Sequence, residues 1–277
     1  IGGLGLTGLV MWAEIQLKPV AGPAIAQETT RFANLKEFFH ISANAGKESE
    51  YTVAWIDSLA SGRSFGRGLF MAGSHAARDT DTPAAAKELT FPFNPPVPLL
   101  NRATLRVFNA FYYRKQFERA TRNIVPYEPF FYPLDRIRNW HRAYGPGGLM
   151  QHQCVVPMDV AERAVTELLE RSARAGAGSF LTVLKEFGSV RSPGLMSFPR
   201  PGLTLTLDFA NRGERTLALL DRLDEVVIDA GGAVNPSKDG RMSARAFQAF
   251  FPQWRELGVF IDPRISSSFW RRVTECD

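Results

Sequence analysis

The sequence predicts an α+β fold, an antiparallel sheet with its helices on one face, and three observations carry that expectation. Between Met150 and Lys238 the chain reads as strand, helix, strand, strand, helix, strand, the βαββαβ order of the split-βαβ arrangement. The strand at 203–209 alternates strictly, with Leu203, Leu205, Leu207 and Phe209 on one side and Thr204, Thr206 and Asp208 on the other. Both helices run out onto glycine, Gly176 and the pair Gly231-Gly232, where a left-handed C-terminal residue is wanted.

In chain order, the opening Ile1-Gly2-Gly3-Leu4-Gly5-Leu6-Thr7-Gly8 contains G-x-G-x-x-G. No strand precedes it, and residues 9–17 read as a strand rather than a helix, ending at Lys18-Pro19, so the dinucleotide fingerprint is rejected. The four glycines are better explained by backbone lying close to a ligand or a neighbouring strand. Residues 34–45 suit a short amphipathic helix through Leu35, Phe38, Phe39 and Ile41; residues 50–58, carrying Trp55, and 68–72 suit strands.

Residues 79–124 break this regularity. A proline-rich run precludes a helix before Leu99, and Asn101 to Arg119 then fits an amphipathic helix rich in aromatic and basic residues. Two readings of 99–124 stand: aromatics packed on the core with arginines outward, or a basic-aromatic surface for a lipid phosphate and peripheral membrane contact. The charge is too local for nucleic acid.

The strand at 150–156 stops at Pro157, and Asp159 is placed to cap the helix that follows. A strand at 180–187, a helix at 215–230 and a short strand at 233–235 complete the unit. Residues two apart in a strand project together, so Gln151 with Gln153, Lys185, and Thr204 with Thr206 can form one polar face. Such a face is either simply solvated or a binding wall.

The 277 residues allow a large core and two domains, and 45% hydrophobic with 22% charged content excludes a disordered chain. A net charge of +5 suits an anionic substrate without requiring one. Nothing is apolar for long enough to span a bilayer. Cys154 and Cys276 lie too far apart in sequence for a metal-ligand spacing, and His40, His75, His141 and His152 add none, so no metal is expected. The default compartment is the cytoplasm, with peripheral contact on the inner membrane face through 99–124. The start at Ile1, without a methionine or a basic leader, reads as part of a longer chain.

Several motifs occur here in one order. They are the glycine-rich opening, Tyr132-Pro133-Leu134-Asp135, Asn139-Trp140 with Arg142-Ala143-Tyr144-Gly145-Pro146, Gln151-x-Gln153, Lys185-Glu186-Phe187-Gly188, Leu195-Met196-Ser197-Phe198-Pro199 and Ser237-Lys238-Asp239. As an ordered set covering essentially the whole chain, they resemble the flavin-dependent decaprenylphosphoryl-β-D-ribose 2′-oxidase family of the vanillyl-alcohol oxidase superfamily. The resemblance implies that residues 1–22 are the last strand of an FAD-binding domain, 23–231 a substrate-binding domain, and 232–277 a return to the FAD-binding domain. The half-domain with the pyrophosphate-cradling loop would lie outside the chain.

The resemblance further implies flavin contacts at Val10, Asn235 and Lys238, although Asn235 stands where the family has tyrosine. It implies substrate contacts at Gln151, Gln153, Lys185, Phe187, Trp55, Thr204 and Thr206, with Phe131 an aromatic at the pocket mouth. Lys238 is the residue that activity requires. Thr206 replaces the cysteine that covalent inhibitors attack, so such an inhibitor is expected to form no adduct. The implied chemistry is hydride transfer from a secondary alcohol of a phosphorylated or lipid-linked sugar to FAD, with a partner reductase able to follow. Two alternatives stand beside it: an aldonolactone or sugar-alcohol oxidase of the D-arabinono-1,4-lactone oxidase kind, and a non-catalytic binding fragment that holds no FAD.

Overall fold

The computed structural model describes residues 2–45, 48–78, 80–83, 87–238 and 240–274. Its first half runs β1 (Ala24–Phe32), α1 (Leu35–Ala45), β2 (Tyr51–Ile56), β3 (Gly68–His75), the short β4 (Leu89–Thr90), α2 (Arg102–Arg114), β5 (Ala120–Pro126), α3 (Tyr127–Phe131) and the short β6 (Ile137–Arg138). Its second half runs β7 (Leu149–Val156), α4 (Ala161–Arg174), β8 (Thr182–Phe187), β9 (Gly202–Ala210), α5 (Glu214–Asp229), β10 (Ala233–Val234), α6 (Ala244–Phe250) and α7 (Ser268–Thr274). Eight strands form one sheet in the order β10-β7-β9-β8-β2-β3-β1-β5. Each neighbouring pair is antiparallel.

The expected βαββαβ unit is therefore one end of a larger sheet, joined to the rest through β8 and β2. Alternation sends Leu203, Leu205 and Leu207, with Cys154 and Leu184, into a core shared with α1, α4, α5 and α6. α4 contributes Val165, Leu168 and Leu169, all buried; each such side chain is worth about 1.5–3 kcal/mol relative to exposure. Both helix ends close as the glycines require. Gly176, at φ +68°, donates to Ala173 while Ala177 donates to Ser172; Gly231, at φ +66°, repeats the pattern with Gly232.

α2 starts where the sequence places it, with the Asn101 side chain accepting from Ala103 and Thr104, and Thr104 returning a bond to the Asn101 backbone. It stops at Arg114, short of the expected Arg119, because the chain there turns to pair with β1: the Arg31 amide donates to the Arg119 carbonyl at 2.7 Å. Three expectations are corrected. Residues 9–17 form no strand; a strand needs a hydrogen-bonded neighbour, none lies alongside, and Leu9, Met11, Trp12, Ile15 and Leu17 stand exposed. Asp159 lies in a turn and does not cap α4, whose N-cap is Val160 without a side-chain bond. Of the opening glycines, Gly2 alone approaches another segment, a loop of this same chain, where a Cβ would meet Ser197 Oγ at 2.9 Å and the Gly194 backbone at 3.0 Å; a Cβ on Gly5 or Gly8 would meet nothing within 4 Å.

Gly202 marks a tight approach at the β7–β9 seam. It sits at φ +149°, and a Cβ there would lie 2.3 Å from the Val156 carbonyl oxygen. Gly202→Ala is expected to destabilise the chain by about 1–3 kcal/mol through strain at the β7–β9 seam, read as a lowered urea midpoint. An unchanged midpoint would contradict this packing.

Candidate functional site

The register of the sheet assembles the polar face row by row. Gln151 lies opposite Asp208, and Gln153 opposite Thr206. Thr206 lies opposite Val183, and Val183 opposite Trp55, so one row crosses four strands. Lys185 pairs with Thr204. That places it four residues along β9 from Asp208, roughly 14 Å away at the rise of a strand. The wall thus has two ends, one amide-rich and one carrying a lysine.

Neighbours decide which end of each glutamine amide is free. Asn235 accepts the Ser237 backbone N–H on its Oδ1, so its Nδ2 must donate, and it does so to Gln153 Oε1 at 2.8 Å. The end of Gln153 left over is its N–H donor. Gln151 Nε2 donates to Asp208 Oδ1 at 2.6 Å, and a carboxylate can only accept. The end of Gln151 left over is its carbonyl acceptor. The two amides therefore offer opposite polarities, side by side on β7.

Asp208 is completely buried. Burial pushes its pKa up to about 6, against the Gln151 hydrogen bond and the Lys238 charge, which both hold it down. Its Oδ2 has no partner, nor do the buried hydroxyls of Thr204 and Tyr144. Burial, with the nearby Asp208 charge, also drives the Tyr144 phenol upward. Lys238 follows β10 in a short helical turn, exposed, and its side-chain ammonium has no hydrogen-bond or ion-pair partner among the described residues. It supplies a free cation beside a buried carboxylate.

The remaining site residues divide. Trp55 is buried under α2, its ring 4.7 Å from Tyr112, and Phe108 meets Phe180 at the same distance. α2 thus turns Phe108 and Tyr112 onto the sheet, while Val107 and Phe111 face solvent. Thr206 is half-buried on the wall, and no thiol stands there. Lys185 is exposed by surface area, yet desolvation around its ammonium lowers its pKa; the exposure limits how far this can go. Phe131 packs edge-on against Tyr51 at 4.9 Å and Phe130 at 5.1 Å. Phe187 meets Phe198 edge-on at 6.0 Å, against the core. Val10 is not brought to the wall: it is 78% exposed in the unpaired segment.

His152 points to the opposite face, as alternation requires, and the sequence gives no sign of its partners. Its Nε2 donates to Asp224 of α5 at 3.0 Å, and Asp224 also accepts from Arg241 at 2.8 Å. This buried group ties β7 and α5 to the chain just beyond Lys238. Cys154 is buried and its thiol is pushed up to about 12 by burial, so it is inert as a nucleophile. Cys276 lies outside the described residues. Among the described residues no group of His, Cys, Asp and Glu could hold a metal ion.

The fold and wall define an α+β domain whose antiparallel sheet gathers two amides, a buried carboxylate and two lysines around one polar face. No protein-family model matches the chain. Decaprenylphosphoryl-β-D-ribose oxidase of Mycolicibacterium smegmatis is 30% identical over 279 residues, covering 95% of this chain and 59% of that protein. An uncharacterized protein in the mprA 5′ region of Streptomyces coelicolor is 32% identical over 282 residues, covering 95% of this chain and 75% of that protein. Among solved structures, a BBE-like protein from Arabidopsis thaliana is 10% identical with a TM-score of 0.46, over 91% of this chain and 54% of its own. That likeness is loose. The chain belongs to the family of the Streptomyces coelicolor protein, is similar to decaprenylphosphoryl-β-D-ribose oxidase, and spans about three-fifths of that oxidase.

Proposed function

We propose that this chain carries the substrate face of an FAD-dependent oxidoreductase that oxidises a secondary alcohol of a sugar to a ketone. The observation that carries the reading is the pairing of opposed amide polarities on Gln151 and Gln153 with the free ammonium of Lys238. One sugar hydroxyl donates to the Gln151 carbonyl, and a second sugar oxygen accepts from the Gln153 N–H. Lys238 holds negative charge that develops on the substrate oxygen, where a preorganised cation is worth more than in water. The unpartnered Thr204 hydroxyl and Asp208 Oδ2 leave buried polar capacity on the same face for a ligand to satisfy.

The donor set also fits the flavin: Lys238 and the Gln153 N–H would suit the negative charge that the ring gains on reduction, whereas Asn235 is engaged with Gln153 and Val10 faces solvent. FAD, when bound, supplies the electron-pair acceptor that the side chains lack. A ribose-like sugar linked through phosphate to a lipid suits the name of the Mycolicibacterium relative, and Lys185, at the far end of the wall, suits its phosphate. The outer face of α2, with Val107, Phe111 and Arg114 at helical spacing, and Phe117 beyond it, suits peripheral contact with a membrane. No helix among the described residues is long and apolar enough to cross one.

Lys238→Met tests the reading. It removes the charge and keeps the stem, so sugar-dependent reduction in the FAD-loaded protein is expected to slow by about 100-fold or more, with the fold unchanged. A rate within about twofold of wild type would remove Lys238 from the site and the reading with it.

A further inference from the structure

Apart from the wall, a cavity of about 180 Å³ opens where β9 runs out into α5. Its lining holds five arginines: Arg102 at the start of α2, Arg174 at the end of α4, Arg212 in the turn after β9, and Arg215 and Arg222 on α5. No Asp or Glu lines it. Arg174 is paired with Glu170 on its own helix, and Arg215 donates to the Ala175 carbonyl at 3.0 Å. Arg102, Arg212 and Arg222 have no carboxylate partner among the described residues.

Three guanidinium groups without a carboxylate partner, drawn from three different elements, meet on one cavity and concentrate positive charge there. Their mutual repulsion is relieved only by an anion or by salt.

We propose that this cavity is a binding site for a phosphate or diphosphate group. The planar forks of Arg102, Arg212 and Arg222 match phosphate oxygens in bidentate fashion, which a single carboxylate could satisfy only in part. The volume equals about six waters, a fit for the charged group rather than for a large organic body. The site is separate from the wall and stands whether or not the oxidase reading holds. The group is carried either by a soluble phosphorylated molecule or by a lipid headgroup.

The test uses the whole chain without flavin. Inorganic pyrophosphate is titrated calorimetrically, and vesicles of phosphatidylcholine, with and without phosphatidic acid, are sedimented with the protein. Wild type is expected to bind pyrophosphate, and the Arg212→Gln/Arg222→Gln double variant to bind it at least tenfold more weakly, with an unchanged circular dichroism melt. An Arg212→Lys/Arg222→Lys variant should recover part of the loss. Pyrophosphate binding without vesicle binding assigns the site to soluble phosphates. Vesicle binding that needs phosphatidic acid and is lost in the double Gln variant assigns it to headgroups. Absence of both kinds of binding in wild type, or a double Gln variant that binds as well as wild type, overturns the proposal.

Discussion

Asp224→Ala is expected to lower the unfolding free energy by about 3–5 kcal/mol at neutral pH, because it leaves His152 and Arg241 facing an empty buried position. The exposed Asp221 still pairs with Arg241 at 2.7 Å, but a solvent-screened pair cannot replace the buried one. Burial alone would raise the Asp224 pKa; the hydrogen bonds and charges of His152 and Arg241 outweigh it and set the net direction downward. A carboxylate depressed in the folded state contributes stability that is present above its unfolded pKa, near 3.8, and drains away as pH falls through the lower folded value. The deficit of the variant should therefore be full at pH 7 and shrink in acid. Urea denaturation at both pH values checks it, and a loss below about 1 kcal/mol at pH 7 would show that the buried group holds little. Because Arg241 follows Lys238 closely in the chain, the variant should also slow sugar-dependent reduction.

Asp208→Asn is expected to act in the opposite sense on stability. Its carboxyl is raised from 3.8 to about 6, so the ionised form is held at a cost of about 3 kcal/mol above that pH. For a group raised in the folded state, the favourable contribution is complete below the unfolded pKa and is lost as pH rises through about 6. The neutral isostere escapes that loss. It should be more stable than wild type by up to about 3 kcal/mol at pH 8 and nearly equal to it at pH 4. The same change should weaken sugar binding about tenfold, because an amide can offer Gln151 either a donor or an acceptor and no longer fixes which end faces the ligand. A variant that is less stable at pH 8 would refute the buried-charge account. One that binds sugar as wild type does would refute the polarity account.

Much of the wall was legible because its signal is local. The alternation of 203–209, the glutamines two apart on β7, the glycines ending α4 and α5, and Asn101 before α2 all state their structure within a few residues. β1 and β5 carry no such local signal. β1 carries Gln27, Glu28, Thr29, Thr30 and Arg31 through its middle, and β5 is an exposed edge, so neither shows a clean apolar face. Asp208 stands in the alternating strand in plain view, yet its role depends on facing Gln151 across the register and on complete burial, which only the fold supplies. Asn235 is a similar case: its amide matters because β10 pairs with β7 and brings it to Gln153. Phe131 and Phe187 were legible as large aromatics, but their packing partners were not. The strand expected at 9–17 is rich in apolar residues and has no neighbour to pair with.

The most direct test of the central claim is anaerobic mixing of the FAD-loaded protein with ribofuranosyl phosphates while flavin absorbance is followed. The account predicts bleaching by a ribose compound and none by its 2-deoxy analogue, which lacks the alcohol to be oxidised. Protein that holds a full complement of FAD and is bleached by no sugar bearing a secondary alcohol would contradict it, and the face built from Gln151, Gln153 and Lys238 would then be a binding surface without redox chemistry.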